Sequence, residues 1–259
     1  MCKNAHILQD LVKCDYAISP TNWQKQQVPE IFRDKIRVIH DGIDVNYCKP
    51  NESAEFRVPN TDIVLTKKDK ILTYVSRGME EYRGFPEFMK AASILMKENP
   101  DLKVVIAGED RVCYGRRIAN STFKKEMLKK YEFDMERLYF TGGLPYKDYV
   151  NLLQVSTAHI YLTYPFVLSW SLMEAMSTEC TIIASDTMPV KEVINDGYNG
   201  ILVDFYDTDR LVSKTNDVLS NPEKYKDISA NARKTIIDNY ALSDMLKKQL
   251  ALFNECITI

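Results

Sequence analysis

Two arginines in this sequence are spaced so that they could bind a phosphorylated ligand. Arg77 and Arg83 lie six residues apart in SRGMEEYRGF, directly after a run of branched residues that predicts a strand. Two guanidinium groups on one loop can clamp a diphosphate, because each charge-assisted hydrogen bond contributes roughly 1.5–3 kcal/mol. A surface loop of mixed charge would show the same pattern, so both interpretations stay open at this point.

A second candidate feature is the segment YLTYPFVLSWSLMEAMSTE at 161–179, which predicts a buried strand followed by a helix. The first turn of that helix holds no acidic residue. Its free backbone N–H groups near Leu168, Ser169 and Trp170, with the positive end of the helix dipole, favour an anion such as phosphate. Glu174 follows among apolar neighbours, where a carboxylate is rarely just a solvated charge. A helix packed on a sheet with one marginal glutamate explains the segment equally well.

The elements that position these residues alternate regularly along the chain. Runs rich in branched residues predict strands at 36–39, 71–75, 103–107, 137–141, 159–163, 181–185 and 201–205. Amphipathic stretches predict helices at 86–97, 122–131, 146–154, 169–178, 190–195 and 208–219, and a long C-terminal pair at 222–254. This alternation predicts an α/β fold in which helices cover both faces of a parallel sheet.

Several glycines follow the carboxyl ends of predicted strands, namely Gly42, Gly78, Gly108, Gly142 and Gly143. Ligands bind at that edge of an open α/β sheet, and glycine lets the backbone approach a ligand or adopt a positive φ. For any one of these glycines, an ordinary turn is an equally good explanation. The sequence has no G-x-G-x-x-G, so it does not support binding of a nicotinamide or flavin dinucleotide.

Composition limits the possible partners. With 34 basic and 36 acidic residues, the net charge of −2 gives no electrostatic footprint for nucleic acid or an anionic membrane. No apolar run approaches the roughly 18 residues of a membrane span, and no signal-peptide core is present, so we expect a cytoplasmic protein. The six cysteines, which include Cys2, and the three histidines are scattered, so we expect reduced thiols and no metal site.

In combination, the motifs resemble the C-terminal, donor-binding half of a family 4 glycosyltransferase of the GT-B fold. They are, in order, IRVIHDGID, YVSRGMEEYRGF, VVIAGED, FTGGLPYKDY, PFVLSWSLMEAM and SDTMPVKEVINDGYNGILVDF. The resemblance implies a Rossmann-like doubly wound sheet and a C-terminal crossover helix within residues 36–259. It also implies that residues 1–35 are the last strand and helix of an acceptor domain that is otherwise largely missing.

The resemblance implies roles for individual residues. Arg77 and Arg83 would grip the donor diphosphate, with arginine at 83 where the family has lysine. Glu174 would hydrogen-bond the ribose, and the base would lie near 141–144. Phe166 stands where the family's first glutamate usually touches the donor sugar, which is a departure from the pattern. The other donor-contacting positions would be Gly78, Gly108, Thr141, Gly142, Leu144, Leu168, Ser169 and Trp170.

The function that this resemblance implies is sugar transfer from a UDP- or GDP-linked donor, with retention of configuration and without a metal or other cofactor. Without an acceptor domain, from another protein or another copy of the chain, we expect little transfer. A related GT-B epimerase or phosphorylase, a non-catalytic sugar-nucleotide module and half of a split enzyme stay open as alternatives. A flavodoxin-type domain is disfavoured, because it would not need two arginines after one strand and a buried glutamate after another.

Overall fold

The structure, a computed structural model, describes residues 4–257, and a six-stranded parallel sheet lies at its centre. The strands are β1 (Ala17–Ser19), β2 (Ile36–Val38), β3 (Glu55–Arg57), β4 (Val64–Thr66), β5 (Ile71–Gly78), β6 (Lys103–Glu109), β7 (Leu138–Gly142), β8 (Ala158–Tyr161), β9 (Ile182–Ser185) and β10 (Ile201–Val203). The α-helices are α1 (Ala5–Lys13), α2 (Asn22–Gln26), α3 (Glu30–Arg33), α4 (Phe85–Glu98), α5 (Phe123–Lys130), α6 (Tyr146–Val155), α7 (Trp170–Ser177), α8 (Met188–Lys191), α9 (Thr208–Ser220), α10 (Lys226–Tyr240) and α11 (Leu242–Ile257).

The strand order of the main sheet is β10-β9-β8-β5-β6-β7, and all neighbouring pairs are parallel. The chain winds outward from β5 to β7, returns to the centre, and winds the other way from β8 to β10. The direction reverses between β5 and β8, which is the point where open α/β sheets bind ligands at their carboxyl edge. The predicted doubly wound fold is confirmed.

Alternate residues of β5 pack on opposite faces of the sheet, as the period of two in a strand requires. Leu72 and Tyr74 join the apolar cluster that contains α4 and α9, whereas Ile71 contacts the cluster that contains Leu152 of α6. A further cluster joins α6, α7 and α10. The central strands are therefore covered on both faces, which explains their near-continuous apolar sequences.

The pattern of branched residues identified strands but did not identify their partners. The run at 36–39 forms β2, yet β2 pairs with β1 in a separate two-stranded parallel sheet and does not join the main sheet. Two strands escaped the prediction, since β3 and β4 form a small antiparallel pair of three residues each. Runs this short carry too few apolar positions to show a period of two.

The helices α4, α5, α6, α7 and α9 lie where the amphipathic pattern predicted them, and their ends differ from the predicted ones by at most one residue. The helix predicted at 190–195 was wrong, since α8 covers only Met188–Lys191, with Pro189 in its first turn. The chain then turns through a loop that Asn199 closes. Its amide donates to the carbonyl of Val193 at 3.0 Å and its side-chain oxygen accepts from Asn195 at 2.7 Å. The C-terminal pair is confirmed as α10 and α11, preceded by a short 3-10 helix at Pro222–Tyr225.

Residues 4–43 are joined to the main body by specific polar contacts. The carboxylate of Glu192 accepts hydrogen bonds from the backbone N–H groups of Asn22 and Trp23 at the start of α2, and so supplies an acidic partner to that helix end. The indole N–H of Trp170 donates to Asp41 at 2.9 Å. These contacts connect the β1–β2 sheet to the same edge of the main sheet on which the proposed ligand groups lie.

Helix α11 presents a mostly exposed apolar stripe. Its members are Leu246, Leu250, Phe253 and Ile257. None of the described helices combines the length and apolarity needed to span a bilayer. The described cysteines, at 14, 48, 113, 180 and 256, are free thiols, and Cys2 lies outside the described residues.

Candidate functional site

A cleft of about 270 Å³ opens at the carboxyl ends of β5, β6 and β7. It brings together four of the predicted residues, because parallel strands end at a common edge. The cleft is lined by Val75, Ser76, Arg77, Ala107, Gly108, Glu109, Arg111, Gly142, Gly143, Leu144 and Tyr149. Arg77 is exposed and has no hydrogen bond or ion pair with a described residue, whereas Arg111 pairs with Glu109 at 2.7 Å. The guanidinium of Arg77 is thus free to meet an anion.

Two glycines of the cleft have different reasons to be glycine. Gly108 has a φ of +137°, and a Cβ there would lie 1.9 Å from the carbonyl oxygen of Ser76, so only glycine allows β5 and β6 to approach at their ends. Gly142 has a φ of +68°, and no atom lies within 4 Å of its would-be Cβ. The open space that we expected beside a ligand-binding glycine is therefore found at Gly142, while Gly108 serves the contact between strands.

Arg83 ends a short 3-10 helix at Glu81–Arg83 and is only 8% exposed. Its Nη1 donates to the hydroxyl oxygens of Tyr161 and Thr163, both at 3.0 Å. A guanidinium has five N–H donors, so three of them, on Nε and Nη2, have no acceptor among the described residues. No described carboxylate forms an ion pair with it. A buried cation of this kind is costly unless an anion compensates it.

Two neighbouring aromatic rings lie beside the Arg83 guanidinium. Its Cζ lies 5.2 Å from the ring centre of Phe166 and 5.7 Å from that of Tyr114, and the two rings are 5.0 Å apart. The carboxylate of the fully buried Glu80 accepts hydrogen bonds from the backbone N–H groups of Tyr114 at 2.9 Å and Gly115 at 2.7 Å. These bonds hold the Tyr114 segment in place beside Arg83. The ring faces attract the cation and hold it in a partly dry environment.

The N-terminus of α7 has the expected character, with no acidic residue in its first turn. The N–H of Ser169 donates to the Tyr161 hydroxyl at 2.9 Å, and the Ser169 side chain accepts from the N–H of Ser171. The N–H groups of Leu168 and Trp170 have no acceptor among the described residues. Two of the three predicted amide donors are therefore available to a ligand, and the third is engaged by a tyrosine.

Glu174 is 8% exposed, and both of its carboxylate oxygens have partners. Tyr146 and Tyr149 of α6 donate their hydroxyls to it at 2.8 Å and 2.7 Å. Burial, reinforced by the negative charge of Glu174, raises the pKa of both phenols above the usual range, so both stay protonated donors. Tyr149 also lines the cleft, and it links the carboxylate to the space in front of Arg77. Each carboxylate oxygen keeps a lone pair for a further hydrogen bond.

The family model described as glycosyl transferases group 1 matches residues 60–235. The chain belongs to this family. A second model, described as the glycosyl transferase family 4 group, matches residues 1–48. The family resemblance inferred from the motifs is thereby confirmed, and the parallel sheet is the Rossmann-like fold of a GT-B glycosyltransferase domain.

Similar proteins include an uncharacterised glycosyltransferase of Methanocaldococcus jannaschii, which is 26% identical over 95% of this group 1 chain and 59% of its own length. Among solved structures, that of sucrose-phosphate synthase of Thermosynechococcus elongatus is similar over 99% of the present chain and 62% of the length of the synthase, with 15% identity and a TM-score of 0.79. HepE of Anabaena in complex with UDP-glucose matches 93% of the chain and 64% of its own, with 14% identity and a TM-score of 0.75. The chain thus spans about three fifths of the length of each of these three proteins.

The predicted site residues of this group 1 domain fall into two groups. Arg77, Gly108, Gly142 and Leu144 line the cleft, whereas Arg83, Phe166 and the start of α7 lie around Tyr161, outside that lining. Thr141 directs its hydroxyl to the carbonyl of Gly142 at 3.0 Å, and a Cβ on Gly78 would meet the Arg111 carbonyl at 2.5 Å. Both of these positions therefore have a local structural role. No group of three His, Cys, Asp or Glu side chains that could hold a metal ion occurs within residues 4–257.

Sequence reasoning missed several residues that belong to this arrangement, among them Glu80, Tyr146, Tyr149 and Tyr161. A weak signal existed for the two tyrosines of α6, which stand three residues apart and therefore share a helix face. Tyr161 is the last residue of β8, at the ligand edge of the sheet. No comparable signal marked Glu80, since its partners are backbone groups more than 30 residues away.

Proposed function

We propose that this chain binds a nucleotide-sugar, UDP- or GDP-linked, and forms the donor site of a retaining glycosyltransferase. The observation that carries the proposal is the state of Arg83. A buried guanidinium with three unpaired N–H donors, without a carboxylate partner and close to the free amides of α7, fits the charge and geometry of a diphosphate. The nucleotide of HepE is consistent with this ligand class.

In this proposal the donor extends from the cleft to the start of α7. The nucleoside occupies the 270 Å³ cleft, where Gly142 and Leu144 offer backbone to the base. Glu174 accepts from the ribose hydroxyls through the lone pairs that its two tyrosines leave free. Arg77, near the end of β5, and Arg83, at the end of the 3-10 helix that follows, contact the diphosphate. Retention of configuration and independence of metal ions belong to the proposal through the family resemblance.

The sugar would then meet an apolar wall. Phe166 and Tyr114 lie over Arg83, beside the diphosphate, where the family usually has a carboxylate. One face of a pyranose ring is formed by C–H groups, which pack favourably on the negative face of an aromatic ring. We therefore expect this domain to hold the sugar by its C–H face more than by its hydroxyls.

The proposed chemistry is leaving-group stabilisation. As the bond between the anomeric carbon and the diphosphate oxygen breaks, negative charge grows on the diphosphate and the sugar becomes oxocarbenium-like. Arg83 and the amides of Leu168 and Trp170 are held in place before the reaction, so they stabilise that charge with little reorganisation, and the exposed Arg77 adds a further positive charge. The acceptor, and any group that orients it, would come from the rest of the protein or from a partner.

The test begins with thermal shift and calorimetry of the 259-residue chain against UDP, GDP and their glucose conjugates. We expect one base to bind, and we expect little or no sugar transfer by this chain, because the positioning of a second reactant accounts for roughly 7–11 kcal/mol of a barrier. Binding of neither nucleotide would refute the donor site. Efficient transfer by the 259 residues would refute the requirement for further acceptor-binding residues.

One observation favours a second candidate, a non-catalytic sugar-nucleotide-binding module. Phe166 cannot make the carboxylate contact to the donor sugar that its counterpart usually makes. A donor-hydrolysis assay separates the two candidates, since a catalytic donor site releases sugar slowly to water, whereas a sensor leaves the conjugate intact at saturating protein. Tight binding without any hydrolysis, with the acceptor-binding part of the protein supplied, would favour the sensor.

A further inference from the structure

The hydroxyl of Tyr161 lies at the junction of the two groups proposed to bind phosphate. Its oxygen accepts from Nη1 of Arg83 at 3.0 Å and from the backbone N–H of Ser169 at 2.9 Å. Both of these partners are N–H donors, so both lone pairs of the oxygen are used. The side chain is 2% exposed, and it comes from the last residue of β8.

The proton of this hydroxyl has no acceptor among the described residues. Thr163, which accepts from the same Arg83 nitrogen, directs its own proton to the carbonyl of Tyr164 at 2.9 Å. Other buried tyrosines in the domain also have acceptors, for example Tyr74, which donates to the carbonyl of Arg83 at 2.8 Å, and Tyr225, which donates to Asp217. A buried hydrogen-bond donor without an acceptor costs free energy. The Tyr161 hydroxyl is therefore placed to donate to an acceptor atom of a bound ligand.

Its neighbours indicate the charge of that ligand. The Arg83 guanidinium directs a full positive charge toward the oxygen of Tyr161, and the Ser169 amide directs the positive end of its dipole toward it. Both polarise the phenol and make its O–H a stronger hydrogen-bond donor. Burial raises the pKa of this phenol although Arg83 opposes the shift, so the proton is retained at neutral pH. An acceptor that approaches this proton also approaches Nη2 of Arg83 and the free amides of α7. An anionic oxygen satisfies all of these donors together.

We propose that Tyr161 donates a hydrogen bond to an oxygen of the leaving diphosphate, and that it thereby acts as a third side chain of the phosphate site beside Arg77 and Arg83. This inference rests on the proposed donor site. The oxygen of this hydroxyl accepts hydrogen bonds from Arg83 and from Ser169 at the start of α7, and so fixes their relative positions. Its proton contacts the phosphate. Charge that develops on the diphosphate strengthens this charge-assisted bond.

The first test is Tyr161→Phe, which removes only the hydroxyl. The probes are the nucleoside diphosphate, UDP or GDP, that binds the unmodified chain, and the corresponding nucleoside without phosphate. We expect affinity for the diphosphate to fall about tenfold, while affinity for the nucleoside changes by less than about twofold. Tyr225→Phe is the matched control, since it removes a phenol hydroxyl that donates to Asp217, outside the proposed site, and it should leave both affinities unchanged.

A second variant distinguishes two roles of the Tyr161 hydroxyl: donating a hydrogen bond to the ligand and accepting hydrogen bonds from Arg83 and Ser169. Incorporation of 4-aminophenylalanine at position 161 restores an N–H donor at the same place but supplies a poor acceptor. If Tyr161 donates to phosphate, this variant recovers diphosphate affinity to within about threefold of the unmodified chain. If the hydroxyl only accepts hydrogen bonds from Arg83 and Ser169, the variant binds the diphosphate as weakly as Tyr161→Phe does, and the inference is wrong.

The outcomes distinguish this inference from the proposal on which it rests. If the unmodified chain binds neither nucleotide, the donor site itself fails, and the role of Tyr161 fails with it. If the unmodified chain and Tyr161→Phe bind the diphosphate equally well, the donor site stands and only the role of Tyr161 is refuted. Melting temperatures of both variants, with and without nucleotide, show whether either substitution acts through folding.

Discussion

Arg77, near the end of β5, and Arg83, at the end of the 3-10 helix that follows, lie only six residues apart, yet they occupy opposite environments. Arg77 is exposed at the mouth of the cleft, and no described residue contacts its charge. Arg83 is buried beside two aromatic rings and already donates hydrogen bonds to two hydroxyl oxygens. An exposed charge is screened by salt and by water, whereas a buried one is not. Two residues of the same type in one motif can therefore make different contributions to binding.

The comparison predicts a division of labour. Arg77 should attract and loosely contact the anion, and Arg83 should supply the fixed contact that the chemistry needs. The cost of burying Arg83 without a carboxylate appears in the ligand-free protein and is offset when a diphosphate arrives. Binding groups that are costly to the free fold are characteristic of functional sites.

The largest effect is expected for Arg83→Met, which keeps the approximate shape of the side chain and removes the charge. Affinity for the nucleoside diphosphate should fall at least tenfold at any salt concentration, because a charge-assisted contact in a dry site is lost. The melting temperature of the ligand-free chain should not fall, since a costly unpaired cation is removed. Calorimetry of binding and differential scanning calorimetry measure the two effects.

Arg233→Met provides the contrast. Arg233 donates to the carbonyl oxygens of Val45, Cys48 and Ser177, so its role is structural. Its substitution should lower the melting temperature and leave the intrinsic affinity unchanged. If Arg83→Met instead destabilises the ligand-free fold and still binds the diphosphate, Arg83 is a structural arginine as well.

Arg77→Ala should weaken diphosphate binding about tenfold at low ionic strength, and the loss should shrink as salt rises through the range where the Debye length falls below about 10 Å. A salt series by calorimetry tests this. Lys68, an exposed cation in the turn before β5 at the opposite end of the strand, is the control, and Lys68→Ala should have no effect on affinity. An Arg77 effect that is independent of salt would contradict the division of labour.

Glu174→Gln tests whether the carboxylate serves the ribose or only its two tyrosines. We expect affinity for the ribonucleotide to fall about fivefold more than affinity for the dideoxy nucleotide, since only the former has hydroxyls to donate. Glu223→Gln, far from the cleft and exposed, is the control. Equal losses for both nucleotides, with a lower melting temperature, would assign Glu174 to the packing of α6 against α7.

The smallest effect concerns the sugar. The sugar conjugate should bind the unmodified chain more tightly than the nucleoside diphosphate does. Phe166→Ala should reduce this difference in affinity about threefold, which corresponds to the loss of one aromatic contact of about 0.5–1 kcal/mol. Val167→Ala, at the next and partly exposed position, should leave that difference unchanged. An undiminished difference in Phe166→Ala would show that the sugar lies elsewhere.

The fold could be predicted from the sequence where local pattern and tertiary role agree. The helices α4, α6, α7 and α9 have apolar faces with the helical period, and their predicted bounds differ little from those observed. The pairing of β2 could not be predicted, since it depends on which strand lies beside it and not on its own composition. Helix α8 was misplaced because the contacts of Asn199, which end that region in a loop, are not a property of hydrophobic periodicity.

The site was predictable to the extent that strand ends share an edge. Arg77, Gly108 and Gly142 meet in the cleft for that reason. The arrangement around Arg83 was not predictable, because the hydroxyl of Tyr161 and the ring of Tyr114 reach it only after distant loops have packed. Whether a charged side chain is buried, and which of its donors remain unpaired, follows from tertiary packing.

The contact between Gly108 and Ser76 has a consequence for directed evolution of donor preference. A side chain at 108 would overlap the Ser76 carbonyl and force two core strands apart, so the floor of the cleft tolerates no variation. The apolar wall proposed for the sugar, outside the cleft, is different, because Tyr114 and Phe166 stand on connections between elements and are partly exposed. A combinatorial library confined to positions 114 and 166 should therefore retain a high proportion of folded members, whereas one that includes 108 should consist largely of unfolded variants.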